Sequence, residues 1–221
     1  GAAGADIITN GDTVSGNITL AVGGSLLALG EDVAGLKAVS ESGLESGDVS
    51  VSVDEDVYSQ GNNSVALDLK SRAGGNAGIV DLLIGATLSA YGDSARGVTM
   101  SSEGRKFSND VSLALAGEAA GEGSNLTLIE LSSSNDDSSV NSIDSAVNNT
   151  GDNKPLVQTA SAKSTPPAGL NSDVAGDVVV SLGSSLAIAG QSSRGVVLTS
   201  SSAGSSGDVF LEAAGSLVAS G

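Results

Sequence analysis

Residues 47–53 read Gly-Asp-Val-Ser-Val-Ser-Val, and residues 176–182 read Gly-Asp-Val-Val-Val-Ser-Leu. Apolar side chains occupy every second position after the glycine, the pattern of a strand with one buried face. The frame recurs from Gly16, Gly78, Asn109 and Gly207. The starts 16, 47, 78 and 109 are 31 residues apart, and 176 and 207 are 31 apart again. With each start as offset 0, offsets 2, 4 and 6 read Ile18-Leu20-Val22, Val49-Val51-Val53, Val80-Leu82-Ile84, Val111-Leu113-Leu115, Val178-Val180-Leu182 and Val209-Leu211-Ala213. Every one is apolar in a chain only 39% hydrophobic. A fixed period in this range is the signature of a repeat architecture.

The rest of each copy is equally regular. Offset 10 carries Leu26, Val57, Leu88, Ala119, Leu186 and Leu217, and offset 14 carries Gly30, Gly61, Gly92, Gly123, Gly190 and Gly221. A third strand is expected from about offset 19, with Leu36-Ala38, Leu67-Leu69, Val98-Met100, Ile129-Leu131 and Val196-Leu198 facing inward. Ser40, Ser71, Ser102, Ser133 and Ser200 close it. Turns of Gly, Ser, Asp and Asn separate the strands, and helical periodicity is absent. The spacing predicts an all-β, right-handed parallel β-helix solenoid of about seven coils of ~31 residues, with three short strands per coil. The hand follows from the preference of parallel crossovers.

Residues 1–221 read as a single β-helix segment with one interruption between Asn109 and Gly176. A degenerate coil fits at about 137–161, with Ile143, Val147, Gly151, Val157 and Thr159 in phase. An inserted loop is expected at about 162–175, what remains after that coil; Pro155, Pro166 and Pro167 all fall between Gly151 and Gly176, and proline cannot donate to a ladder. Gly4, Ala5, Ile7 and Thr9 fit the late offsets of an earlier coil, and Gly1 and Gly221 stand at nearly the same phase. The open ends are therefore expected to meet further coils of the same protein, or identical subunits head to tail.

Composition narrows the chemistry. Nine basic residues, scattered along the sequence, stand against 26 acidic ones, for a net charge of −17. That balance argues against nucleic acid, which is held by clustered Lys and Arg. Histidine and cysteine are absent, which removes Ser-His-Asp triads, histidine metal sites, disulfides and thiol chemistry. No apolar run is long enough for a transmembrane helix.

The stretch Gly61-Asn-Asn-Ser-Val-Ala-Leu-Asp-Leu-Lys-Ser-Arg-Ala-Gly-Gly-Asn-Ala-Gly78 resembles the passenger repeats of bacterial autotransporters. Tyr91-Gly-Asp-Ser-Ala-Arg-Gly-Val-Thr-Met-Ser-Ser102 and Gly190-Gln-Ser-Ser-Arg-Gly-Val-Val-Leu-Thr-Ser-Ser201 are similar. The resemblance covers the coils outside 137–175. It implies a β-helix exported to the cell surface or beyond it, in a family whose passengers include adhesins, matrix proteins and enzymes. The translocating barrel of that family does not occur within these residues.

Three sets of residues are candidates for a site. Asp48, Asp110, Asp177 and Asp208 share offset 1, and Asp177 with Asp208, in adjacent coils, is a candidate calcium pair. Turn chemistry, with Asp accepting backbone N–H groups, is the alternative. Arg96 and Arg194 share offset 18 and are candidates for an acidic glycan, or for pairing with local acids. Val179 and Phe210, both outward at offset 3, are candidate interface residues. No catalytic constellation or cofactor site emerges. The expected function is an extracellular structural or interaction segment: a stalk, fibre or adhesive surface meeting a glycan or a host or cell-surface partner. The alternative is a lyase or hydrolase of acidic polysaccharide.

Overall fold

The computed structural model describes residues 2–135 and 174–220. They hold eighteen strands, numbered along the chain, and no helix. The first sheet joins β1 (Ala2–Gly11), β4 (Val33–Ser42), β7 (Val65–Ala73), β10 (Arg96–Gly104), β13 (Thr127–Ser134) and β16 (Arg194–Ser201). The second joins β2 (Ile18–Val22), β5 (Val49–Val53), β8 (Val80–Ile84), β11 (Val111–Leu115), β14 (Val178–Leu182) and β17 (Val209–Ala213). The third joins β3 (Leu26–Leu29), β6 (Val57–Gln60), β9 (Leu88–Tyr91), β12 (Ala119–Glu122), β15 (Leu186–Ala189) and β18 (Leu217–Ser220). Pairing is parallel throughout, each residue facing its equivalent one coil away, as in Val49↔Val80 and Val80↔Val111. The described residues form a β-solenoid of six rungs with three sheets as its walls.

The third strand of each coil is longer than its sequence suggests. β4 has ten residues and β7 nine, starting before the expected glycine and running past the serine. The irregular coil expected at about 137–161 lies outside the described residues, as does the loop expected at about 162–175 apart from its last two residues. Those two, Val174 and Ala175, belong to the stack: Val174 bridges Phe107, and Ala175 is buried. On either side of this span β11 pairs directly with β14, β12 with β15 and β13 with β16.

The interior is built from files of equivalent side chains. Val51, Leu113 and Val180 are at most 2% exposed, whereas their neighbours Ser50, Ser112 and Ser181 face outward. An inward file at offset 12 (Ala28, Ser59, Ala90, Gly121 and Ile188) completes the third wall. At Gly121 the missing side chain leaves room for Leu126.

A polar seam runs through this core. Ser71 Oγ donates to the Gly47 carbonyl at 2.9 Å and accepts the Gly78 amide at 2.8 Å. Ser40, Ser102, Ser133 and Ser200 repeat the double contact at the same corner. Here the backbone leaves one sheet for the next, and the hydroxyl file satisfies amides and carbonyls at the turn. The corner is too tight for side chains. A Cβ on Gly47 would stand 2.5 Å from the carbonyl of Gly16, and one on Gly207 2.5 Å from that of Gly176. Asn109 replaces glycine once, and its Nδ2 donates to the Ala77 carbonyl at 2.8 Å. At the offset-14 turn, Gly61 and its equivalents adopt positive φ, 131° at Gly61 itself, which demands glycine.

Candidate interaction surfaces

The offset-1 column is a capping ladder. Asp48 Oδ1 accepts the Ile79 amide, Asp110 Oδ1 the Asp177 amide, and Asp177 Oδ1 the Asp208 amide, at 2.7–2.9 Å. Each carboxylate thus closes the turn of the coil that follows. The candidate calcium residues Asp177 and Asp208 are adjacent, as their spacing implied, and the contact between them is this side-chain-to-backbone bond. Other turns use the same device, with Asn62 Oδ1 on the Asp93 amide at 3.1 Å and Asp56 Oδ1 on the Thr87 amide at 3.0 Å. Among the described residues no group of three or more acidic side chains is placed to hold a metal ion.

Basic residues scattered in sequence are gathered in space. Lys37, Lys70, Arg72, Arg96 and Arg194 all lie on strands of the first sheet. They interleave with acids: Lys37 Nζ stands 3.9 Å from Asp6, Lys70 Nζ 3.2 Å from Asp68, and Arg72 Nη2 2.7 Å from Glu103. Arg96 Nη1 reaches Glu130 one rung on at 3.4 Å. Sequence spacing put Arg96 and Arg194 several coils apart, but they are only two rungs apart, because Thr127 faces both. Arg96 is paired with a local acid, whereas Arg194 is exposed and has no carboxylate partner among the described residues.

Val179 and Phe210 are direct partners between β14 and β17, as their shared offset required. Val179 is half-buried and Phe210 is 55% exposed. Two rungs before Val179, beyond Ser112, the same column holds Asp81. Burial holds the Asp81 carboxyl above its ordinary range; the Ser112 hydroxyl, which donates to it, pulls the other way, and nearby Asp48 and Asp110 add to the rise.

A feature that sequence reasoning missed lies on the third sheet. Tyr58 and Tyr91, the only tyrosines in the chain, stand on its outer face with ring centroids 5.6 Å apart and planes tilted by 41°. Leu27 and Leu29, more than half exposed, lie on the first strand of the same sheet. Part of the signal was available, since offset 11, which holds Leu27 and Tyr58, follows the apolar offset 10 and so faces outward.

No helix among the described residues is long and apolar enough to cross a membrane. Comparison of the chain with protein-family models, curated proteins and solved structures gives no match.

Proposed function

We propose that the chain is a structural and interaction segment, a stiff rod whose work is to provide length and repeated surface. The observation that carries this is continuity. Six rungs stack in one register on three walls, and side chains cap the turns from one rung to the next. Such a stack resists local opening, because each rung's turns are held by its neighbours. The repeat pattern at 61–78, similar to autotransporter passengers, supports placement outside the cell as a stalk, fibre or adhesive surface. The partners that fit are further coils of the same repeat and a glycan or protein met by the lateral faces.

Two measurements test the reading. Antibody against the chain should label intact, unpermeabilised cells of the source organism, and the purified chain should withstand proteinase K far longer than a globular domain of equal size. Labelling only after permeabilisation overturns the extracellular assignment. Release of unsaturated or reducing ends from acidic polysaccharides by the purified chain would favour the carbohydrate-active alternative instead.

A further inference from the structure

Resting on the reading that the lateral faces meet a partner, we infer that the outer wall of the third sheet binds a neutral polysaccharide. The sugar chain would lie along the solenoid axis, against Tyr58 and Tyr91 and over the alanines beyond them.

The aromatic content of the chain is concentrated on this wall. Four aromatic residues occur among 221, and both tyrosines stand here, on the adjacent inner strands β6 and β9. Their rings lean on each other, with centroids 5.6 Å apart. The outward column that starts at Tyr58 then drops through Ser89 to Ala120 and Ala187. An aromatic ledge thus stands over a low shelf. A pyranose ring suits such a step, because its C–H face is apolar enough to lie on an aromatic ring while its hydroxyls point to the rim. One sugar is about as long as one rung spacing, ~4.8 Å, so a polymer can keep its register along the shelf. Strands β6, β9, β12 and β15 each pair on both sides, so this part of the wall is the same whatever coils precede or follow.

The rim supplies hydrogen bonds of both kinds. Tyr58 Oη donates to Gln60 Oε1 at 3.0 Å, which leaves the exposed Gln60 amide nitrogen to donate outward. Glu122, the direct partner of Tyr91, is also exposed, and its carboxylate can accept from neighbouring sugar hydroxyls.

Charge narrows the class of glycan. Every basic residue among the described ones lies on the first sheet or in the turn after β10, at Arg105 and Lys106. None stands on the third sheet. The turns that border it are acidic, with Asp54, Asp56 and Glu118 on one side and Asp32 and Asp93 on the other. Both borders repel an anionic polymer. They also repel a second copy of this chain, which carries the same turns and a net charge of −17. Six strands of four residues offer roughly 350 Å² at ordinary strand spacing, whereas each partner of a stable protein pair gives up about 800 Å². A strip four residues wide fits a single extended polymer better.

The chain has no tryptophan, so its tyrosine emission reports this pair alone. The full chain is titrated with hydroxyethylcellulose, xyloglucan and galactomannan, with polygalacturonate as the anionic control, and affinity electrophoresis in the same polymers gives the dissociation constants. At least one neutral polymer should bind and change the emission, and polygalacturonate should not. Tyr91→Ala should weaken binding about tenfold, the scale of one lost aromatic stacking contact, and Tyr91→Phe should restore most of it. Ala120→Gln, which fills the shelf and removes no contact, should weaken binding with the circular dichroism spectrum unchanged. Absence of binding to all three neutral polymers overturns the proposal, as does binding that survives Tyr91→Ala and Ala120→Gln together. Tighter binding of polygalacturonate overturns it too, and self-association that Tyr91→Ala abolishes would assign the wall to a second copy instead. A protease-resistant, surface-labelled chain that binds no glycan would remove the ligand alone and leave the rod standing.

Discussion

The Ser133 hydroxyl accepts the Gly176 amide at 2.9 Å across 43 residues of sequence, the contact that Ser102 makes with Asn109 across seven. The corner is the same in both cases. The stack therefore closes over the span between Asn135 and Val174 as if two residues stood there, as Gly74 and Gly75 do between Ala73 and Asn76. Replacing 136–173 by Gly-Gly should leave the β-sheet circular dichroism intact and the unfolding free energy within about 1 kcal/mol of the parent. Loss of cooperative unfolding would show that the span holds the two parts of the stack together.

The serine seam should be worth more than its exposed counterparts. Ser102 is fully buried, donates to the Gly78 carbonyl and accepts the Asn109 amide, both at 2.9–3.0 Å. Ser102→Ala orphans both backbone groups and should cost about 1–3 kcal/mol in denaturant unfolding. Ser50→Ala, on the outer face, should stay within about 0.5 kcal/mol.

Register can be tested with a single charge. Val180 is fully buried in its file, so Val180→Asp should lose roughly 3–5 kcal/mol, the scale of an unpaired buried charge. Ala114→Ser, on the outward side of β11, should be close to neutral. Equal effects at the two positions would mean that the faces are misassigned.

Asp81 sets a pH dependence of unusual sign. Its carboxyl binds protons more tightly in the folded chain than in the unfolded one, chiefly because it is partly buried. Over the window from the ordinary aspartate range up to that raised value, the folded state holds more protons, so this group's contribution to stability falls as pH rises. Above the window the carboxylate is a standing burden. Asp81→Asn should therefore raise the unfolding midpoint at neutral pH, and the gain should vanish in acid below the ordinary range. A gain that is the same at every pH would assign the effect to packing instead.

The strand walls were legible in the sequence because their inward residues are large. Val49, Leu82 and Leu113 announce a buried face by contrast with Ser50 and Ser112. The offset-12 file was not, since Ala28, Ser59 and Gly121 look like turn residues, although all three face the interior and a Cβ on Gly121 would collide with the Leu126 side chain. The serines at offset 24 were visible as a column but read as strand ends, because their double contact joins segments seven and 24 residues away. The basic face was hidden for a similar reason. Lys37, Lys70 and Arg72 fall at different offsets and share only their parity along one strand. The Asp177–Asp208 adjacency was legible from the period alone, but what the carboxylates touch was not.

The capping column has a consequence for heredity. Asp48 closes a turn in the coil after its own, and Asp110 and Asp177 do likewise, so these units carry the fitting for whichever unit follows, whereas the unit from Gly78, with Ile79 in the column, does not. A duplication of one capped unit by recombination adds a junction that is already capped and changes the rod by about one strand spacing, ~4.8 Å. Length in such a molecule is a heritable quantity that varies in whole steps, without a new core having to evolve for each.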